Sequence, residues 1–95
     1  MVLKKDRITL SKINNYYNIL TKALKIAKKS IAKSKQQSAK KIFLMVESYI
    51  SDSQYFKEKK DYINSYGCLN YAYGWLDCGA RLKIFLVKDT NLFTI

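Results

Sequence analysis

Ile13, Tyr17, Leu20, Leu24, Ala27 and Ile31 recur at alternating four- and three-residue steps, which is the apolar stripe of an α-helix. The spacing predicts a first helix over residues 9–32, with Asp6, Thr9 or Ser11 available as its N-cap. Ser30 to Ser38 is polar and irregular and reads as a turn. A second stripe follows at Ala39, Ile42, Val46, Tyr49, Ser53 and Phe56, widened by Phe43, Met45 and Ile50, and predicts a helix over 36–58. Leu44 falls on the opposite side of that helix. Lys59-Lys60-Asp61 reads as a short connection in which Asp61 caps a third helix over 62–87. The main face of this helix carries Tyr62, Leu69, Tyr73, Leu76, Ala80 and Val87, and residues 88–95 are left as a tail in which Leu92-Phe93-Thr94-Ile95 reads as a short extended stretch. Three amphipathic helices joined by short turns predict one all-α domain over 1–95, an up-down-up three-helix bundle with crossings of about 20°.

Composition agrees with a folded domain and narrows its chemistry. At 95 residues, 48% hydrophobic and 26% charged, the chain matches ordinary globular usage and has room for a single core. It contains no His, which excludes imidazole acid/base catalysis, His-based nucleophilic triads and His-ligated zinc. Cys68 and Cys78 lie on one predicted helix about 15 Å apart, beyond the roughly 7 Å reach of a disulfide, and read as two reduced thiols. Neither Ile42–Val46 nor Ile84–Val87 approaches the ~20 apolar residues of a membrane span, and Met1–Arg7 lacks the apolar segment of a signal peptide. The expected location is cytoplasmic.

The net charge of +11 changes the picture more. Asp6 is the sole acid before Glu47, so the whole imbalance resides in the first half of the chain. With no linker between the halves, this is a polarised surface of one domain. Lys12, Lys22, Lys25, Lys28, Lys29 and Lys33 are the candidate phosphate contacts. Lysine makes point-charge contacts, which favours backbone binding over base readout. Tyr16 and Tyr17 are candidates to stack on bases, with Tyr17 also fitting the core stripe.

The third helix holds all three glycines, Gly67, Gly74 and Gly79. A helical wheel turns Gly67 and Gly74 outward together with Cys78 and Phe85, and sets Gly79 at the core margin beside Trp75. Two readings follow. The small residues accommodate a neighbouring helix or the C-terminal tail, or they form a docking surface for a second subunit or ligand. A polar flank of Tyr66, Asn70, Tyr73, Asp77 and Arg81 runs beside them, with Asp77 and Arg81 spaced as an i,i+4 ion pair that Asp52 is able to join. Such a pair serves either as a polar staple that fixes helix register or as a recognition site in which Arg81 binds an anion and Asp77 orients it.

The run Tyr71-Ala72-Tyr73-Gly74-Trp75-Leu76-Asp77-Cys78-Gly79-Ala80-Arg81-Leu82 resembles the signature of the archaeal "domain of unknown function 357" family. Tyr49-Ile50-Ser51-Asp52-Ser53-Gln54-Tyr55-Phe56 and Lys60-Asp61-Tyr62-Ile63-Asn64 are similar to two further stretches of it. The resemblance implies a small three-helix bundle and carries no established activity. Tyr73 stands where the family usually has His and Cys78 where it has Ala. Lys60 stands where Gly is common, which predicts a turn without positive φ. Asp52, Asn70, Tyr73, Gly74, Asp77, Gly79 and Arg81 form the candidate shared site.

These features point to a non-enzymatic binding protein with neither cofactor nor metal, since no phosphate-binding Gly-rich loop or metal-ligand spacing is present. The expected partner is the backbone of RNA or DNA, held by the basic first half. The alternative is a scaffold that forms a homodimer or docks a protein partner on the glycine face of the third helix; the tail Leu92-Phe93-Thr94-Ile95 covering that apolar surface is the competing explanation.

Overall fold

A computed structural model describes residues 6–94, and Lys4, Lys5 and Ile95 lie outside them. Three helices, α1 (Leu10–Lys28), α2 (Gln36–Glu58) and α3 (Tyr62–Arg81), run up, down and up, with a single 3₁₀ turn at Lys33–Lys35. Thr9 starts α1 by accepting the Lys12 amide through its hydroxyl at 3.1 Å. Asp61 starts α3 by accepting the amide of Asn64 at 3.2 Å.

The stripes converge as their spacing requires. Ile13, Leu20, Ala23, Leu24 and Ala27 of α1 meet Ala39, Ile42, Phe43 and Val46 of α2 and Leu69, Ala72, Leu76 and Ala80 of α3 in one core. α3 is the central helix. It packs extensively on α2 and along α1, while α1 and α2 touch only lightly. With a radius of gyration of 14.5 Å, against about 13 Å for a compact chain of this size, the bundle is elongated, and its extents are 52 × 28 × 16 Å.

Where α2 crosses α3, two fully buried serines face each other. The Ser53 hydroxyl donates to the Ser65 carbonyl at 2.9 Å, and the Ser65 hydroxyl donates to the Ser53 carbonyl at 2.9 Å. Small side chains let the helices approach, and the reciprocal bonds leave neither buried hydroxyl without a partner.

One helix end matches expectation, α2 at Glu58, and two do not. α2 and α3 both stop in Schellman closures. Asp61 N–H donates to Phe56 O at 2.9 Å with Lys60 N–H to Lys57 O at 3.0 Å, and Ile84 N–H to Gly79 O at 2.8 Å with Lys83 N–H to Ala80 O at 3.1 Å. The left-handed residue in each is a lysine, Lys60 at φ 60° and Lys83 at φ 57°. The expected turn without positive φ at Lys60 is therefore corrected: the closure forms on lysine. The third helix ends at Arg81 rather than Val87, and the first ends at Lys28 rather than at residue 32.

Beyond these ends the chain pairs with itself. Ala32 N–H donates to Ile84 O at 2.9 Å and Leu86 N–H to Ser30 O at 2.7 Å, an antiparallel bridge between Ile31 and Phe85. Phe85, expected on the outer glycine face, is only 1% exposed. Its ring stacks on Phe43 at a 5.0 Å centroid distance and 10° between planes. Burying it contributes roughly 1.5–3 kcal/mol. The same ring lies against Gly79, which the wheel placed only at the core margin, so close that a β-carbon there would sit 2.9 Å from Phe85 Cζ. The tail is not extended. It turns at Asp89, whose carboxylate accepts the Asn91 amide at 2.9 Å, and buries Phe93 to 2% exposure.

Substituting the glycines separates their roles. Gly79→Ala is expected to destabilise by about 1–3 kcal/mol through overlap with Phe85, despite the better helix former. Gly67→Ala and Gly74→Ala, with open space around both positions, are expected to stabilise by up to ~1 kcal/mol each. Urea unfolding monitored by circular dichroism reads all three, and a stabilised Gly79→Ala overturns the Phe85 account.

Candidate functional site

Four of the candidate residues come together. Asn70, Tyr73, Gly74 and Asp77 succeed one another along α3 and line a groove of about 440 Å³, with Tyr16 and Ile19 of α1 beside them. The opposite wall is the tail, Thr90 to Thr94. Asp52, Gly79 and Arg81 are not part of it: Asp52 stands exposed on α2, Gly79 lies under Phe85 and Arg81 is exposed at the end of α3.

The expected Asp77–Arg81 pair does not form. The Asp77 carboxylate instead accepts the Thr94 amide at 3.0 Å and the Thr94 hydroxyl at 3.3 Å. These bonds come from the tail reaching the flank of α3, seventeen residues on in sequence. The Tyr73 hydroxyl donates to the Leu92 carbonyl, and Phe93 between the two anchors turns into the core. The groove thus recognises a short peptide segment, one donor to a carbonyl, one acceptor for an amide, and an apolar pocket between. Sequence reasoning missed Leu92 and Thr94 as partners. The signal was present in Asp89, a turn former, followed by the apolar pair Leu92-Phe93.

Burial raises the Tyr73 phenol from 10.0 to about 12, with the nearby Asp77 charge adding to it. Burial also raises Tyr16, with Tyr66 and Asp77 contributing. Both phenols stay neutral at physiological pH and act as hydrogen-bonding groups. Tyr16 packs edge-on against Tyr66 and Tyr73 at 5.2 and 5.7 Å, so it is held in an aromatic cluster beside the groove.

The lysines divide as well. Lys22, Lys25 and Lys29 project from α1 on the side opposite its buried stripe, and Lys33 is exposed on the 3₁₀ turn. Lys28 pairs with Glu47 across to α2, and the Lys12 ammonium lies 5.4 Å from the Tyr66 ring centre. Those two candidates are therefore engaged within the fold. The topology also gathers cations from separate parts of the chain, three of which, Arg81, Lys83 and Lys88, come from the half of zero net charge. The end of α1, the start of α2 and the end of α3 share one pole of the bundle, so Lys40, Lys41, Arg81, Lys83 and Lys88 join Lys25, Lys29, Lys33 and Lys35 there. Lys25, Lys28 and Arg81 also oppose the negative ends of α1 and α3.

The family described as "Protein of unknown function (DUF357)" matches residues 15–85. This chain is a DUF357 protein. No curated protein and no solved structure matches it. The match takes in the whole α3 wall of the groove and stops before the tail, so the DUF357 segment supplies Tyr73 and Asp77 while residues outside the match occupy them.

Cys68 and Cys78 are free, as the spacing predicted. Burial pushes the Cys68 thiol up, with Asp52 and Asp61 adding to it, so thiolate is disfavoured there. Among the described residues no group of three or more His, Cys, Asp or Glu is placed to hold a metal. No helix among them is long and apolar enough to cross a membrane.

The raised phenol gives the tail a pH signature in this DUF357 protein. Its neutral form contributes stability that is whole below pH 10 and lost as pH rises to about 12. Tyr73→Phe is expected to cost ~1 kcal/mol at neutral pH through loss of the bond to Leu92. Across the alkaline window the gap between wild type and variant should close. Urea unfolding at a series of pH values measures this, and a gap that stays constant to pH 12 contradicts the buried-donor assignment.

Proposed function

We propose that this DUF357 protein is a non-enzymatic binding protein that holds the sugar–phosphate backbone of nucleic acid on its basic pole. The observation that carries the reading is the convergence at one end of the bundle of cations from α1, the 3₁₀ turn, α2 and the segment after α3. Lys28–Glu47 is the sole ion pair among the described residues, so the other cations at this pole face solvent without carboxylate partners. Lys22, Lys25 and Lys29 extend the surface along α1 for about 10 Å, which spans neighbouring phosphates. Lysine ammonium groups on one rigid helix favour counterion release without base selection.

Fluorescence anisotropy of a labelled oligonucleotide across a salt series tests this. The expected result is a linear fall of log K with log salt with a slope of several units, similar for different sequences. The triple variant Lys22→Gln/Lys25→Gln/Lys29→Gln is expected to reduce the slope by about 2–3. Absence of binding at low salt, or a slope the triple variant leaves unchanged, rejects the proposal.

A second reading, self-association on the outer face of α3, is supported by Ile63 and Tyr71, which are 76% and 57% exposed there beside the open Gly67 and Gly74. It predicts a dimer in sedimentation velocity that Tyr71→Glu dissociates; a monomer at all concentrations removes it.

A further inference from the structure

Because α1 leans on α3 and touches α2 lightly, a groove of about 780 Å³ opens between the end of α1 and the start of α2. Its apolar lining is Ile31, Phe43 and Leu44, and its polar lining is Lys28, Gln36, Gln37, Lys40, Lys41 and Glu47, with the Glu47 carboxylate taken up by Lys28. Leu44 is 65% exposed although it sits on a helix with ample polar surface elsewhere. Phe43 is locked by its stack on Phe85, so this part of the lining is rigid. Lys28 is held by Glu47, with its ammonium 5.8 Å from the Phe43 ring centre, whereas Lys40 and Lys41 have no carboxylate partner among the described residues.

We infer that this groove docks an acidic amphipathic helix of a protein partner, with apolar side chains on Ile31, Phe43 and Leu44 and carboxylates on Lys40 and Lys41. Charge complementarity selects the partner, since an apolar strip with lysines along its margin matches a helix whose apolar stripe is flanked by Glu or Asp. The groove lies between two antiparallel helices, and a third helix of about 10 Å diameter completes the packing there as in a bundle. Nucleic acid fits it poorly. Phosphates leave Leu44 facing water, and the Phe43 ring, covered by Phe85, offers no stacking platform. The inference goes beyond the nucleic-acid reading: it shares Lys40 and Lys41 with the basic pole but turns on Ile31, Phe43 and Leu44, and Lys22, Lys25 and Lys29 do not line the groove.

The test uses the full chain and a fluorescein-labelled synthetic helix of about 18 residues, with leucines on one stripe and glutamates flanking it. A scrambled peptide of the same composition is the control. The amphipathic peptide is expected to bind at least about tenfold tighter than the scramble, and Leu44→Ser to remove that margin. Leu44 is exposed, so an unchanged urea midpoint confirms that Leu44→Ser folds. The Lys22→Gln/Lys25→Gln/Lys29→Gln variant should keep the margin while weakening oligonucleotide binding, so the two readings fail separately. Equal binding of both peptides overturns the inference in favour of diffuse charge attraction. Oligonucleotide binding that Leu44→Ser abolishes assigns the groove to nucleic acid instead. A concentration-dependent dimer that Leu44→Ser dissociates assigns it to a second copy of this chain.

Discussion

The contact between the Phe85 ring and the bare backbone of Gly79 is the constraint on which the rest of the molecule depends. For Phe85 to reach Phe43, the chain must reverse within a few residues of the end of α3, and any side chain at Gly79 would stand in its way. The Schellman closure at Lys83 makes the reversal, and the backbone bonds to Ser30 and Ala32 fasten it to the end of α1. Three consequences follow. The cationic pole is closed by main-chain hydrogen bonds rather than by packing alone, Phe43 becomes an immobile part of the groove lining, and the chain leaves Val87 on a course that returns the tail to Tyr73.

How much of this was legible depended on which physical signal each residue emits. Ile13, Leu20 and Leu24, or Leu69 and Leu76, announce their burial by periodicity, and the three helices and their up-down-up order follow from that alone. Asp61 is a conventional cap and was readable as such, and Thr9 was one of three candidates, with Asp6 and Ser11, among which the sequence did not choose. The end of α2 at Glu58 was legible too, but the end of α3 was not, because the usual marker of a left-handed stop is glycine and Lys83 takes that place. With Lys83 silent, the periodicity of α3 ran on through Val87 and carried Phe85 to the wrong face. Ile31 misled in the same way, since it continues the α1 stripe in sequence yet belongs to a β-bridge.

The candidate site shows the same division. Asn70, Tyr73, Gly74 and Asp77 share a flank by helical spacing, and the structure keeps them together. Arg81 shares that spacing but not the site, because i,i+4 proximity gives a weak preference that the Thr94 amide and hydroxyl outcompete. A segment seventeen residues downstream carries no local trace of that competition. The basic pole was half legible. Charge counting found the cationic first half, but only topology could bring Arg81, Lys83 and Lys88 to the same end.

The crossed serines of α2 and α3 have a mechanical consequence. Each hydroxyl is moored to the opposing main chain, so the two helices resist shear along their common axis. α1 has no comparable mooring to α2, only the polar bridges Lys28–Glu47 and Lys57–Asn14 at their surface. The α2–α3 hairpin is therefore the chassis of this protein, and α1 is seated on it through its packing on α3 and the main-chain bonds that join Ser30 and Ala32 to the segment after α3.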